Sequence, residues 1–174
     1  EQRYFAPKLA ALFPDPQRAA RVRALFQHIQ AQIRHYLYLK TLVSAATGLL
    51  SYVILLWVEV DYAVFWAFLI FLLNYIPTIG SLLGVLFPAT LALLQFDTLT
   101  PFVVLLLGLG GIQFMIGNVL EPRLMGSSLN LSPLVVILSL ALWGQLWGVT
   151  GMFLSVPITV MAMIILAHFP VTRS

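Results

Sequence analysis

The sequence predicts an all-α, polytopic helical membrane domain. Hydrophobic residues fill 61% of 174 positions and charged residues only 9%, against roughly 25% charged in an ordinary soluble domain. A soluble chain of this size could not bury so much apolar surface and would expose aggregating patches. The charges are also segregated. Nine of them lie among the first forty residues, and the remainder of the chain holds only Glu59, Asp61, Asp97, Glu121, Arg123 and Arg173. The chain thus divides into a basic segment, 1–40, and a transmembrane domain, 41–174, with five to six hydrophobic segments.

The first segment reads as one amphipathic helix. Asp15-Pro16 pairs an N-cap with a residue preset for the first helical turn. Val22, Leu25, Phe26, Ile29, Ile33, Tyr36 and Leu37 then form an apolar stripe, opposite Arg18, Arg21, Gln27, His28, Gln32, Arg34 and His35. A net charge of +3 gathered beside an apolar run fits a membrane surface or a neighbouring subunit, and not nucleic acid. His28 and His35 have no acidic or Cys partner nearby in sequence, so a metal site is not expected there.

Residues 41–58 contain no charge and reach about 27 Å as a helix, close to the hydrocarbon thickness. Glu59 and Asp61 mark an aqueous turn. The run 62–95 is too long for one ordinary span, and Asn74-Tyr75-Ile76-Pro77-Thr78-Ile79-Gly80-Ser81 interrupts it. Two halves of about fifteen residues would each reach only ~22 Å. A further apolar run spans 101–120 and ends at Glu121-Pro122-Arg123, ahead of a small-polar stretch, 126–133. Two last apolar stretches, to about residue 147 and across 149–169, meet at Gly144, Gly148 and Gly151.

Charge placement separates two topologies. If 62–95 crosses once, Arg123 and Arg173 lie opposite the basic segment. If it enters and returns as a re-entrant or broken-helix hairpin, they lie on the same side, with Glu59, Asp61 and Asp97 on the other. The positive-inside rule favours the hairpin, with the N-terminal helix and the C-terminus cytoplasmic.

Two clusters could carry chemistry. Backbone that leaves the helix at membrane depth persists only where it is buried in protein or lines a wet cavity, and interrupted helices point to transport sites. Pro77 removes a donor and Gly80 permits unusual dihedrals; Asn74, Thr78 and Ser81 add polar side chains. A kinked structural hairpin with locally satisfied backbone is the competing reading. The second cluster is Gln113, Asn118, Glu121, Pro122, Arg123, Ser127, Ser128 and Asn130. Glu121, next to hydrocarbon, could accept a proton or coordinate a cation. Arg123 could hold an anion, or simply obey the inside rule. Trp57, Trp66, Trp143 and Trp147 fit interfacial belts or packing.

Enzyme readings find little support. The chain lacks a zinc-protease motif and a phosphate-cradling loop, and cysteine is absent. His168 has no nucleophile elbow to serve, and Asp61 and Asp97 fall in expected loops. No cofactor or metal is expected.

Several ordered motifs resemble the autoinducer-2 exporter (AI-2E) family of bacterial transporters. They are Tyr38-Leu39-Lys40, Asn74-Tyr75-Ile76-Pro77-Thr78-Ile79-Gly80, Gly117-Asn118-Val119-Leu120-Glu121-Pro122-Arg123-Leu124-Met125-Gly126, Leu131-Ser132-Pro133, Trp147-Gly148-Val149-Thr150-Gly151-Met152 and Val156-Pro157-Ile158. The resemblance implies a multi-pass protein of the bacterial inner membrane that exports a small polar signal molecule, or exchanges Na⁺ or Li⁺ for protons. It places the Pro77–Gly80 break and the segment around Glu121 in the family's shared core. Family members carry further transmembrane helices before the amphipathic segment, so this chain looks like the second half of one. That leaves an alternative, a scaffold or homo-oligomerising module whose small-residue faces (Gly108, Gly110, Gly111; Gly144, Gly148, Gly151) bind other helices.

Overall fold

The computed structural model describes residues 16–125 and 132–167. Asp15, Ser127, Ser128, Asn130, His168 and Arg173 lie outside them. Every regular element among the described residues is helical: α1 (Pro16–Trp57), α2 (Ala63–Leu73), α3 (Ile79–Gln95), α4 (Thr100–Met115), a π-helical turn (Ile116–Leu120), α5 (Glu121–Met125) and α6 (Pro133–Ala167).

α1 is a single helix of 42 residues, so the compositional change at residue 40 is not a structural break. Its lower part keeps the expected two-faced pattern. Ile29 and Tyr36 are buried, whereas Arg23, His28, Arg34 and His35 are exposed. Above residue 40 the buried positions become Val43, Ser44, Thr47, Ser51 and Leu55.

The run 62–95 does turn back on itself. Asp61 donates its backbone N–H to Gln95 Oε1 (2.9 Å), and Gln95 Nε2 donates to the Glu59 carbonyl (2.8 Å). The far end of α3 therefore returns to the turn that launched α2. The arms are unequal, 11 and 17 residues, or about 16 and 26 Å. The break satisfies its own backbone: Asn74 N–H bonds to Ile70 O, Tyr75 to Leu72, Ile76 to Leu73 and Gly80 to Ile76. Close crossing of the arms explains Gly80, where an added Cβ would sit 1.7 Å from the Leu73 carbonyl oxygen. Thr78 takes φ 62°, a sparsely populated conformation for a β-branched residue.

Leu55, Ile70, Val85, Ala89, Ala92, Leu105 and Leu109 knit α1–α4 into one core. α4 runs antiparallel to α1, with Gly108 facing Ile54 and an added Cβ meeting its Cδ1 at 3.0 Å.

α6 is long enough to cross a bilayer by length and composition, as are Gln27–Trp57 and Thr100–Leu124, yet it is not straight. Gly148 has φ 62° and ψ −142°. Beyond it the chain reverses: Trp143 Nε1 donates to Thr159 Oγ1 at 3.2 Å. In an unbroken helix those residues would stand about 24 Å apart. α6 is thus a second helical hairpin, with arms 133–147 and 149–167. An added Cβ on Gly151 would lie 1.9 Å from the Trp143 carbonyl oxygen, and one on Gly144 would lie 2.9 Å from Met152 Cε. These two glycines serve the hairpin's own closure and do not present a face to other helices, contrary to the reading from sequence. Gly110 and Gly111 keep open surroundings, with nothing within 4 Å.

Candidate functional site

Lys40, Ser44, Thr47 and Ser51 recur on α1 at spacings of four, three and four, which places them on one helical face. All four are buried, at 4%, 0%, 0% and 1% exposure. Four polar side chains on the inward face of a membrane-depth helix form a column about 17 Å long. The other helices bring their polar groups to it.

At one end of the column Lys40 Nζ pairs with Glu121 Oε1. The register of α4 explains how Glu121 arrives there. Leu105, Leu109, Gln113 and Ile116 are its buried positions, and the next inward residue is Glu121, five residues on. A π turn supplies that spacing, with the Glu121 N–H bonded to Ile116 O. π turns inserted in α-helices recur at functional sites. A lysine so deeply buried requires a counter-charge, because an unpaired ammonium would lose its hydration without compensation.

One turn further along the column the tip of the first hairpin engages α1. Tyr75 donates its hydroxyl to Thr41 Oγ1 (2.7 Å), and Asn74 Nδ2 donates to Ser44 Oγ (3.0 Å). Thr47 Oγ1 donates to the Val43 carbonyl (2.8 Å). Tyr75 also stacks on Phe153 of the second hairpin, with ring centroids 5.5 Å apart and planes at 22°. Lower down, Tyr36 packs with Val156 and Val160. The two hairpins therefore approach from opposite ends of the bundle, and their tips meet beside the column.

Lys40 lies opposite Glu121 and Ile54 opposite Gly108, so Gln113 sits level with the stretch between Thr47 and Ser51. It is buried, with its Nε2 3.5 Å from where a Cβ of Gly84 would be.

The sequence-derived candidates thus divide. Asn74, Gln113 and Glu121 converge on the column. Gly80 and Pro77 shape the tip, with the Pro77 carbonyl accepting from Ile79 N–H. Thr78 is exposed, and Ser81 donates back to the Thr78 carbonyl. Asn118 is exposed and bonds its own helix at Phe114 O (3.2 Å); Pro122 and Arg123 are exposed. Ser44, Thr47, Ser51 and Lys40 were missed as site residues. Their spacing was present in the sequence, hidden because 41–58 reads as a plain apolar span.

The chain resembles known proteins over most of its length. Residues 1–170 match the model of the family described as AI-2E family transporter. "AI-2 transport protein TqsA" of Escherichia coli is 44% identical over 143 residues, covering 82% of this chain and 41% of the relative. A "Putative transport protein" of Borreliella burgdorferi is 38% identical over 162 residues, covering 92% and 44%. The E. coli "Putative transport protein YhhT" is 42% identical over 127 residues, covering 73% and 36%. The chain therefore spans less than half the length of these relatives. A family match along nearly the whole chain, together with relatives at this identity, establishes that it is a multi-pass membrane protein belonging to the AI-2E transporter family.

Proposed function

We propose that the chain forms the translocating core of a transporter for a small polar solute, with the Lys40–Ser51 column as its route. The observation that carries this reading is the burial of a polar file among four helices at membrane depth. Hydrophobic residues would pack more cheaply there, since buried polar groups stabilise a bundle only weakly. Asn74, Gln113 and Glu121 line the route; Pro77 and Gly80 shape the hairpin tip beside it. Arg123, Pro122, Asn118, Thr78 and Ser81 stand at its margins. By the name of the E. coli relative the cargo is autoinducer-2-like; exchange of Na⁺ or Li⁺ for protons is the competing coupling, with Glu121 as the proton-binding group. The protein resides in the bacterial inner membrane, with the Lys40–Glu121 end facing the cytoplasm, and lipid covers its outer faces.

Flux into reconstituted vesicles tests this, with a panel of Na⁺, Li⁺, protons and the furanosyl signal. Pro77→Ala and Glu121→Gln are expected to alter flux while membrane insertion persists. Unchanged flux in both variants would remove the route from this column.

A second reading, lateral self-association, is favoured by one feature. Gly110, Gly111 and Gly117 have nothing within 4 Å, and Leu107 and Phe114 on the same helix are exposed. Small residues beside large apolar ones suit helix–helix contact in lipid. A homo-oligomer built on this face is compatible with transport.

A further inference from the structure

α1 carries the polar column on one face and two recesses on the opposite one. Gln27, Gln30, Ala31, Arg34, His35 and Tyr38 line a hollow of about 530 Å³. Further along, Ala45, Leu49 and Tyr52 join Ala67, Phe68 and Phe71 of α2 around an apolar groove of about 480 Å³. Positions 27, 31, 34, 38, 42, 45, 49 and 52 follow one another at spacings of three and four, so both recesses lie along a single stripe of the helix. Leu42, 52% exposed, bridges them. Close crossing of the helices at Gly48 sets the floor of the groove, since an added Cβ there would meet Phe71 Cβ at 3.1 Å and the Ala67 carbonyl oxygen at 3.2 Å.

The two recesses differ in chemistry. The first offers donors: the Arg34 guanidinium, a ring N–H of His35 in either tautomer, the Tyr38 hydroxyl and the Gln27 carboxamide. Arg34, His35 and Tyr38 are exposed, and none of the three has a hydrogen bond or ion pair among the described residues. No Asp or Glu occurs from Pro16 to Val58, so α1 itself holds no acid to neutralise Arg34. The second recess is walled by aliphatic and aromatic side chains. Their separation fits one leaflet. Tyr38 to Tyr52 is about 21 Å along the helix axis, and half of a 40–45 Å bilayer is about 20–22 Å. Because 41–58 carries no charge, the donor hollow falls at the headgroup layer and the groove falls among acyl chains.

We infer that this face of α1 seats one glycerophospholipid with a net-negative headgroup. Arg34, His35 and Tyr38 hold its phosphate, and an acyl chain lies in the groove between Ala45 and Phe68. A guanidinium meets a phosphate through two parallel, charge-assisted hydrogen bonds. A zwitterionic headgroup fits worse, because its ammonium finds no carboxylate on α1. A symmetric contact with a second copy would set two acid-free basic faces against each other.

The inference stands apart from the transport reading, and its test reads lipid affinity alone. Unfolding of the detergent-purified chain would be followed as phosphatidylglycerol, or phosphatidylcholine with the same acyl chains, is titrated into the micelles. Phosphatidylglycerol is expected to raise Tm to a plateau, and phosphatidylcholine to leave it flat. Arg34→Gln should weaken the apparent affinity about tenfold, through loss of a charge-assisted contact. Arg23 is exposed on the same helix outside the hollow, and Arg23→Gln should change the affinity less than about twofold. Ala45→Phe, which fills the groove, should weaken binding of long-chain phosphatidylglycerol and spare the dihexanoyl form. Each variant is referred to its own lipid-free Tm, which separates lost stability from lost binding. Equal responses to the two lipids, or equal losses in Arg34→Gln and Arg23→Gln, would overturn the seat in favour of diffuse attraction. Unchanged long-chain binding in Ala45→Phe would remove the acyl chain from the groove. Inorganic phosphate as effective as the lipid would assign a soluble-anion site instead. A dimer abolished by Arg34→Gln would give the face to a second copy.

Discussion

Lys40 and Glu121, 81 positions apart in sequence, are joined as an ion pair in which the lysine is almost completely enclosed. Removing one partner of a buried pair costs about 3–5 kcal/mol, whereas replacing both by apolar residues is often neutral or stabilising. Lys40→Met and Glu121→Leu are each expected to lower stability by about that amount, and the double variant to recover most of it. A double-mutant cycle on unfolding in detergent checks this; additive losses would show that the pair does not couple α1 to α5.

The tip of the first hairpin tolerates no side chain at residue 80. Gly80→Ala drives a methyl into the Leu73 carbonyl and should cost more than the ~1–3 kcal/mol of ordinary overpacking. Gly117→Ala, whose surroundings are open, serves as the control and should be near neutral. Unfolding midpoints for the two variants distinguish them.

Topology is open to direct labelling, because the chain has no cysteine. Glu59→Cys and Asp97→Cys should react with an impermeant thiol reagent from the same side of a vesicle. Arg123→Cys should react only from the opposite side. Glu59 and Asp97 appearing on different sides would mean that 62–95 crosses once.

The stack of Tyr75 on Phe153 links the hairpins. Such pairs couple by about 0.5–1.5 kcal/mol beyond their area. A cycle of Tyr75→Leu and Phe153→Leu should return a coupling in that range. Zero coupling would mean the tips are held together by other contacts.

Much of the architecture was legible. The mismatch between 62–95 and a bilayer's thickness, with Pro77 and Gly80 in the middle, pointed to a hairpin, and the charges agreed. The unequal arms were not legible, because the break begins at Asn74 and uses five residues that bond locally, and hydropathy does not register them. Gly144, Gly148 and Gly151 marked a junction in the last apolar stretch, but small residues look the same whether they receive another helix or their own returning arm. Of the site, Asn74, Gln113 and Glu121 stood out as polar residues in apolar runs. Pairing Glu121 with Lys40 required a π turn, whose extra residue changes the inward register and which leaves no pattern in hydropathy.

The brevity of α2 bears on how the protein is made. Eleven residues extend about 16 Å, and a segment that short does not hold itself across a hydrocarbon layer of ~30 Å. It has to be released from the ribosome and the insertion machinery together with α3, as a loop that enters from one side. The N-terminal neighbour is already in place to receive it, with Ser44 waiting for Asn74 and Thr41 for Tyr75. Phe153 follows Tyr75 by 78 positions in sequence, so the ring contact between the two hairpins can form only after the second hairpin has been made.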